Sequence, residues 1–341
     1  MRHIRRHQTR QEDPMLHTRL CDLLGIEYPI ISAPMAGSTD AALAAAVSEA
    51  GGLGMIGASM NSPEWLREQI EQIRQRTDRP FGVGFITSAP DTELLMNVAL
   101  EHRVPVISHA FADASAHIRE AATLGLKTMV QVQTVAQARA AAQAGADVIA
   151  AQGMEAGGHT GMVSATLPLV PAVIDAVGGI PVVAAGGIAD GRGLAAVLML
   201  GADGVWMGTR FVASVESTGQ EWDKQQIVQA GTDDFVLTRV YDIVRDAPFP
   251  DEIAERILRN QFTATWHGRE DDVIANKQEL AAQLDAASAA GDASFARVLA
   301  GSSAGLVHGI EPAADIVRRI IAEAEAILST RPGEVLKREQ R

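Results

Sequence analysis

At 341 residues, 47% of them hydrophobic, the chain can bury one large core with an appendage, or two cores, and its single cysteine, Cys21, excludes an intrachain disulfide. A formal net charge of -13 argues against a nucleic-acid partner, because phosphate backbones are bound by excess Lys and Arg. No apolar run reaches the roughly 18 residues of a membrane span, so a soluble, cytoplasmic protein acting on small molecules is expected.

Residues 1–15 open with the basic stretch MRHIRRHQTR, which lacks the apolar segment of a signal peptide and reads as a disordered leader. Short β-branched runs then recur: YPIIS at 28–32, LGMIG at 53–57, FGVGF at 81–85, VPVIS at 104–108, KTMVQV at 127–132, ADVIAA at 146–151, PVVAA at 181–185 and DGVWM at 203–207. Each has the length of a fully buried strand. Ala-rich segments of helical spacing lie between them, and several end in Gly, the usual residue beyond a helix C-terminus. Eight strands alternating with helices within about 200 residues fit a (β/α)8 TIM barrel. An open doubly wound sheet is the alternative. Residues 218–300 carry charged, helix-like segments without a clear strand and read as a helical appendage. Residues 311–328 read as an amphipathic helix that returns to the barrel, so the barrel would comprise 16–217 and 301–330.

Two glycine clusters follow the last two strands, Gly186 and Gly187 after the seventh and Gly208 and Thr209 after the eighth. In a (β/α)8 barrel these loops form the usual phosphate site, where exposed backbone N–H groups face the anion. Arg210 is the nearest basic side chain that could join them. At the end of the first strand, Pro34, Met35 and Ala36 leave room for a flat ring across the barrel mouth, and Gln131 at the end of the fifth could hydrogen-bond a pyrimidine-type edge. His159 stands in QGMEAGGHTG, after the sixth strand, where an imidazole suits proton transfer near neutral pH. Glu155 in that loop reads as an anchor, and His109 ends the fourth strand, where it could face substrate. No metal site is read from the sequence.

The segments APMAGSTDAALAAAVSEAGGLGMIG, QGMEAGGHTG, VVAAGGIADGRG, GADGVWMGTRF and SSAGLVHG together resemble the nitronate monooxygenases, formerly called 2-nitropropane dioxygenases, from about residue 18 to residue 330. The EAGGHTG loop is shared with a wider flavin group that includes an enoyl-acyl-carrier-protein reductase and an NADH:quinone reductase. The resemblance implies a barrel holding noncovalent FMN and oxidising alkyl nitronates with O2 to carbonyl compounds and nitrite. It implies that Gly186, Gly187, Gly208 and Thr209 hold the phosphate. Met35, Gln131, Gln152, Gly157 and Gly158 would surround the ring and ribityl chain, with Ser303 approaching from the C-terminal region. His159 matches the family's catalytic histidine. Gly84 stands where relatives often carry a flavin-contacting asparagine. An NAD(P)H-dependent reductase of quinones or enoyl thioesters, and a flavin-free sugar-phosphate isomerase or lyase, stay open as alternatives, as does a homodimer.

Overall fold

The computed structural model describes residues 16–336; the leader expected over 1–15 lies outside the described residues. Parallel strands β1 (Ile30–Ser32), β2 (Gly54–Gly57), β3 (Phe81–Ile86), β4 (Val106–Ala110), β5 (Lys127–Val132) and β6 (Val148–Gln152) come first. A short strand outside the barrel, β7 (Gly158–Gly161), precedes β8 (Val182–Ala185) and β9 (Gly204–Met207). The eight-stranded sheet runs β1-β9-β8-β6-β5-β4-β3-β2, and a parallel bridge from Ile31 to Leu53 brings its two edges together. This is the (β/α)8 barrel expected from the recurring buried runs.

Strand side chains alternate between two cores, as the pleat requires. Ile31, Met55, Met129, Val148, Val183 and Trp206 fill the barrel interior. The helix Arg19–Leu24 plugs its N-terminal end, with Leu20 fully buried. Opposite-parity residues such as Ile30, Ile149, Val182 and Val205 pack outward against the helices.

Residues 218–300 are largely helical, as their charged spacing suggests, but not free of strands as expected. They contain strands β10 (Phe235–Thr238) and β11 (Ile253–Leu258), which form a three-stranded antiparallel sheet in the order β10-β11-β7. The barrel's own loop therefore supplies one strand of the inserted sheet. Helices Gln261–Trp266, Glu270–Ala275 and Lys277–Ala290 cover it, with Tyr241, Phe262, Leu280 and Leu284 in their shared core. The returning helix spans Ala313–Val335, with Pro312 at its N-cap. It packs so closely on the helix Gly191–Met199 that a Cβ at Gly191 would lie 2.5 Å from Glu323 Cβ.

Gly54 marks the tightest strand–helix approach relevant to the barrel's closure. A Cβ there would fall 1.8 Å from the Ala44 carbonyl oxygen, in the backbone of the helix Ala41–Glu49. Gly54→Ala should lower the urea midpoint by the equivalent of about 3 kcal/mol or prevent folding, since backbone cannot step aside as a side chain can. Gly309→Ala, where an added Cβ meets nothing within 4 Å, should stay within about 0.5 kcal/mol of the parent.

Candidate active site

The loops at the C-terminal ends of β6, β8 and β9 converge with residues 300–303. Gly186 and Gly187 both adopt left-handed backbone, with φ of 98° and 77°. A Cβ on Gly186 would come within 2.9 Å of the Gly153 carbonyl and 3.0 Å of the Ala156 nitrogen, so strain and space both require glycine there. Gly157 is equally confined, its added Cβ lying 2.3 Å from the Gly301 nitrogen. The Gly301 N–H donates to the Thr209 hydroxyl at 3.0 Å, and the Ser302 N–H donates to the Glu155 carbonyl at 3.1 Å. Ser303 is buried in the same junction. Glu155 accepts from the Thr166 N–H and hydroxyl, which fixes the loop as its anchor role predicts. Among the described residues, the N–H groups of Gly187, Gly208 and Thr209 have no hydrogen-bond partner, which leaves them available to an anion.

Two expectations about this region are corrected. Arg210 does not reach the cradle: it is buried, donates to the Ala213 and Gly309 carbonyls and lies 3.4 Å from Glu311. Burial lowers its pKa to about 10, offset in part by Glu311. Gly157 does not open space for a ring either, because segment 300–301 fills that space. Gly158, with φ of 66° and nothing near its added Cβ, keeps the open side.

The adjoining barrel mouth is lined by Pro34, Ala36, Gly84, Ser108, Gln131 and Trp206. The indole N–H of Trp206, a residue of this lining, is buried and without a partner. Met35 borders the mouth, its sulfur 3.2 Å from where a Gly208 Cβ would stand. At Gly84 an added Cβ would meet Pro34 at 2.2 Å, so Pro34 occupies the space that an asparagine would need. A glycine cradle with free N–H groups, a flat cleft of small residues and an orphaned indole donor fit a phosphate-bearing aromatic cofactor.

His159 projects from β7, and antiparallel pairing places Glu255 of β11 directly opposite it. Its Nε2 lies 2.9 Å from Oδ1 of Asp242, a buried residue on the helix Val240–Arg245. One nitrogen or oxygen each of His159, Asp242 and Glu255 lies within 4.8 Å of the others. The Phe249 ring stacks on the imidazole with centroids 3.4 Å apart and planes at 14°, while Phe111 meets both rings edge-on. A glutamine relay supports the same strand: Gln131 and Gln133 donate to Gln152 Oε1 at 2.9 and 3.0 Å, and Gln152 Nε2 donates to the His159 carbonyl at 3.2 Å.

His109 is excluded from the site. It points out of the barrel, fully buried between Phe85 and His117, and accepts or donates one hydrogen bond with Thr87. Burial first, and His117 second, push its pKa down to about 3. Asp242, Glu255, Phe249, Phe111 and Gln133 were not singled out from sequence. Only Phe249 carried a local signal, standing between Pro248 and Pro250 in a loop that prolines stiffen.

Fold and site together define a (β/α)8 barrel whose candidate site lies where barrel enzymes place theirs, at the C-terminal face. The chain belongs to the nitronate monooxygenase family: the model of that family matches residues 17–323. It is accordingly an oxidoreductase. A probable nitronate monooxygenase of Staphylococcus saprophyticus is 32% identical, with 92% of this chain and 99% of that one covered. A (3aS,4S,5R,7aS)-5-hydroxy-7a-methyl-1-oxo-octahydro-1H-indene-4-carboxyl-CoA dehydrogenase of Mycobacterium tuberculosis is 38% identical over 71% of this chain and 68% of its own. Among solved structures, FabK from Thermotoga maritima superposes with a TM-score of 0.85 at 40% identity, covering 94% of this chain and all of its own. Nitroalkane oxidase from Streptomyces ansochromogenes gives 0.78 at 30% identity, covering 92% and 99%.

Glu255 gives the site a measurable pH signature. Burial raises its pKa from the ordinary 4.5 to about 8; Arg297 opposes this and Asp242 adds to it. Arg297 lies 3.1 Å from Oε2 but is itself 34% exposed, so burial prevails. The folded state therefore holds this proton more tightly than the unfolded chain. Its stabilising effect is complete below about 4.5 and is lost as pH rises through about 8. Thermal melts should show Tm falling across that window, and Glu255→Gln should flatten the slope, which for one proton is at most about 1.4 kcal/mol per pH unit. An unchanged slope in the variant would assign the pH dependence to another group.

Proposed function

We propose that the protein oxidises alkyl nitronates, and nitroalkanes after deprotonation, with O2 to a carbonyl compound and nitrite, using FMN. The observation that carries the reading is the composition of the barrel mouth: small residues, amides and one carboxylate-held imidazole beside a glycine cradle. A sugar-phosphate isomerase would need Lys, Asp or Glu at several strand ends, and the residues just beyond these strands are Ala33 to Met35, Ala58, Thr87, Phe111, Gln133, Gly153, Gly186 and Gly208.

Bound at the mouth, FMN would supply a two-electron acceptor that passes its electrons to O2. Gly186, Gly187, Gly208 and Thr209 would hold the phosphate through backbone N–H groups. Pro34, Met35, Gln131, Gln152, Gly158 and Ser303 would border the rest, with Trp206 offering its indole N–H. His159 meets the substrate on the same side and takes the α-proton of a neutral nitroalkane. A preformed nitronate has already lost that proton and needs from His159 only a hydrogen bond to its oxygens.

A second reading has a specific observation in its favour. Identity to FabK and to the carboxyl-CoA dehydrogenase, 40% and 38%, exceeds that to nitroalkane oxidase and the probable nitronate monooxygenase, 30% and 32%. It makes the protein an NAD(P)H-dependent reductase of a thioester or quinone at the same site. Anaerobic mixing separates the two: bleaching of the visible flavin bands by a nitronate but not by NADH supports the first, and the reverse supports the second. Absence of flavin bands after FMN addition would sink both.

Two variants probe the assignments. At Gly187 an added Cβ would stand 3.5 Å from Glu155 Cβ, and Asp tolerates left-handed backbone, so Gly187→Asp should fold. With like charges ~5 Å apart at an effective dielectric near 20, it should weaken FMN binding by roughly 3 kcal/mol, more than a hundredfold, read by fluorescence quenching. Full FMN occupancy in that variant would move the phosphate elsewhere. His159→Asn should lower turnover of a neutral nitroalkane by roughly 10² to 10⁴ and of its nitronate far less. Equal losses on the two substrates would remove the base role.

A further inference from the structure

We infer that Asp242 is the positioning residue of His159: it fixes the imidazole proton on Nε2 and so makes Nδ1 the basic nitrogen presented to substrate. The inference rests on the proposed proton-transfer role of His159 and says which residue creates it.

An ionised carboxylate only accepts hydrogen bonds. With Asp242 Oδ1 at 2.9 Å, the His159 Nε2 must therefore be the donor, and the neutral ring carries its lone pair on Nδ1. Asp242 Oδ2 is buried and unpartnered, so His159 is the carboxylate's one side-chain partner among the described residues. His159 Nδ1 has no hydrogen-bond partner among those residues either, and it is not one of the buried orphaned atoms, so it remains open to a small molecule. Phe249 lies flat on the ring and Phe111 abuts it edge-on, which resists rotation that would exchange the two nitrogens.

The neighbouring acid sharpens the arrangement. Glu255 is fully buried across the strand pair, and burial pushes its pKa well up. Burial thus disfavours a second negative charge beside the carboxylate that hydrogen-bonds the imidazole. When the α-proton of a nitroalkane moves to Nδ1, the C–H electron pair stays on the substrate as the nitronate. The imidazolium then formed has both nitrogens protonated, with Nε2–H still bonded to Asp242. A carboxylate in that place stabilises the positive ring and forbids the tautomer in which Nδ1 would be blocked.

Three measurements on full-length, FMN-loaded protein test this. In 15N NMR of histidine-labelled protein, with His159→Asn assigning the signal, wild-type His159 should show the Nε2–H tautomer. Asp242→Asn and Asp242→Ala should shift the population toward Nδ1–H. On a neutral nitroalkane both variants should lose roughly 10² to 10⁴ in kcat with KM within about threefold, as expected for a misplaced general base. The nitronate should lose less than about tenfold, and Asp242→Glu should recover part of the kcat loss. Flavin absorbance at parent occupancy verifies that the variants fold. A wild-type Nδ1–H tautomer, or an Asp242→Ala variant with unchanged tautomer and unchanged nitroalkane kcat, overturns the inference. If no nitroalkane is turned over at all, the functional reading fails, and the tautomer of His159 in wild type and variants still decides the role of Asp242.

Discussion

The antiparallel pairing of β11 with β7 is the contact on which the site depends. Barrel strands and their loops can position a glycine cradle by themselves, because parallel packing fixes the strand ends to within a turn. They cannot by themselves orient a side chain on a glycine-rich loop. Pairing Gly158–Gly161 to Ile253–Arg256 turns that loop into a strand and puts His159 in a fixed register opposite Glu255. The Arg256 side chain, donating to the Met154 carbonyl at 2.9 Å, ties the same two segments a second time. A one-residue slip would swing His159 to the far face of the sheet.

On the proposed reading, a chain of net charge -13 would hold an anion by using backbone rather than side chains. The most obvious cation, Arg210, is spent on the Gly309 and Ala213 carbonyls and on Glu311, where it joins the barrel to the return segment. The helix after β9 spans only Thr209–Val212, so its dipole is short. What remain are the unpartnered N–H groups of left-handed Gly187 and of Gly208 and Thr209, which would act through hydrogen bonds and local dipoles rather than net charge.

Most of the barrel was legible because its signal is redundant. Eight buried runs separated by Ala-rich helical spacing repeat one message, and an error in one would not have changed the fold. The inserted sheet had no such support. In PDEIAERILRN the apolar residues Ile253, Ile257 and Leu258 match helical spacing, and the buried Glu255 hides the alternation that would have marked a strand. His109 illustrates a different gap: Ser108 and Ala110 line the mouth, so the period-2 rule turns His109 outward, and only the structure shows which parity faces in. Asp242 could not be found from sequence, since it lies 83 residues from His159 and only tertiary folding brings the two together.

The insert carries features that stability alone does not favour. Asp242 and Glu255 are buried acids, each with an orphaned oxygen, and a fully apolar pair in their place would avoid the desolvation cost. Such departures from consistent packing concentrate at functional sites. Here the two acids differ in surroundings: burial pushes the pKa of Glu255 up, while Asp242 has the His159 imidazole as a hydrogen-bond partner. The division is chemically useful. In the proposed reaction one carboxylate hydrogen-bonds the group that becomes cationic, and burial disfavours a second charge on its neighbour. On the proposed reading, the barrel fixes where an anionic cofactor would lie, and the insert orients the imidazole that would meet the substrate there.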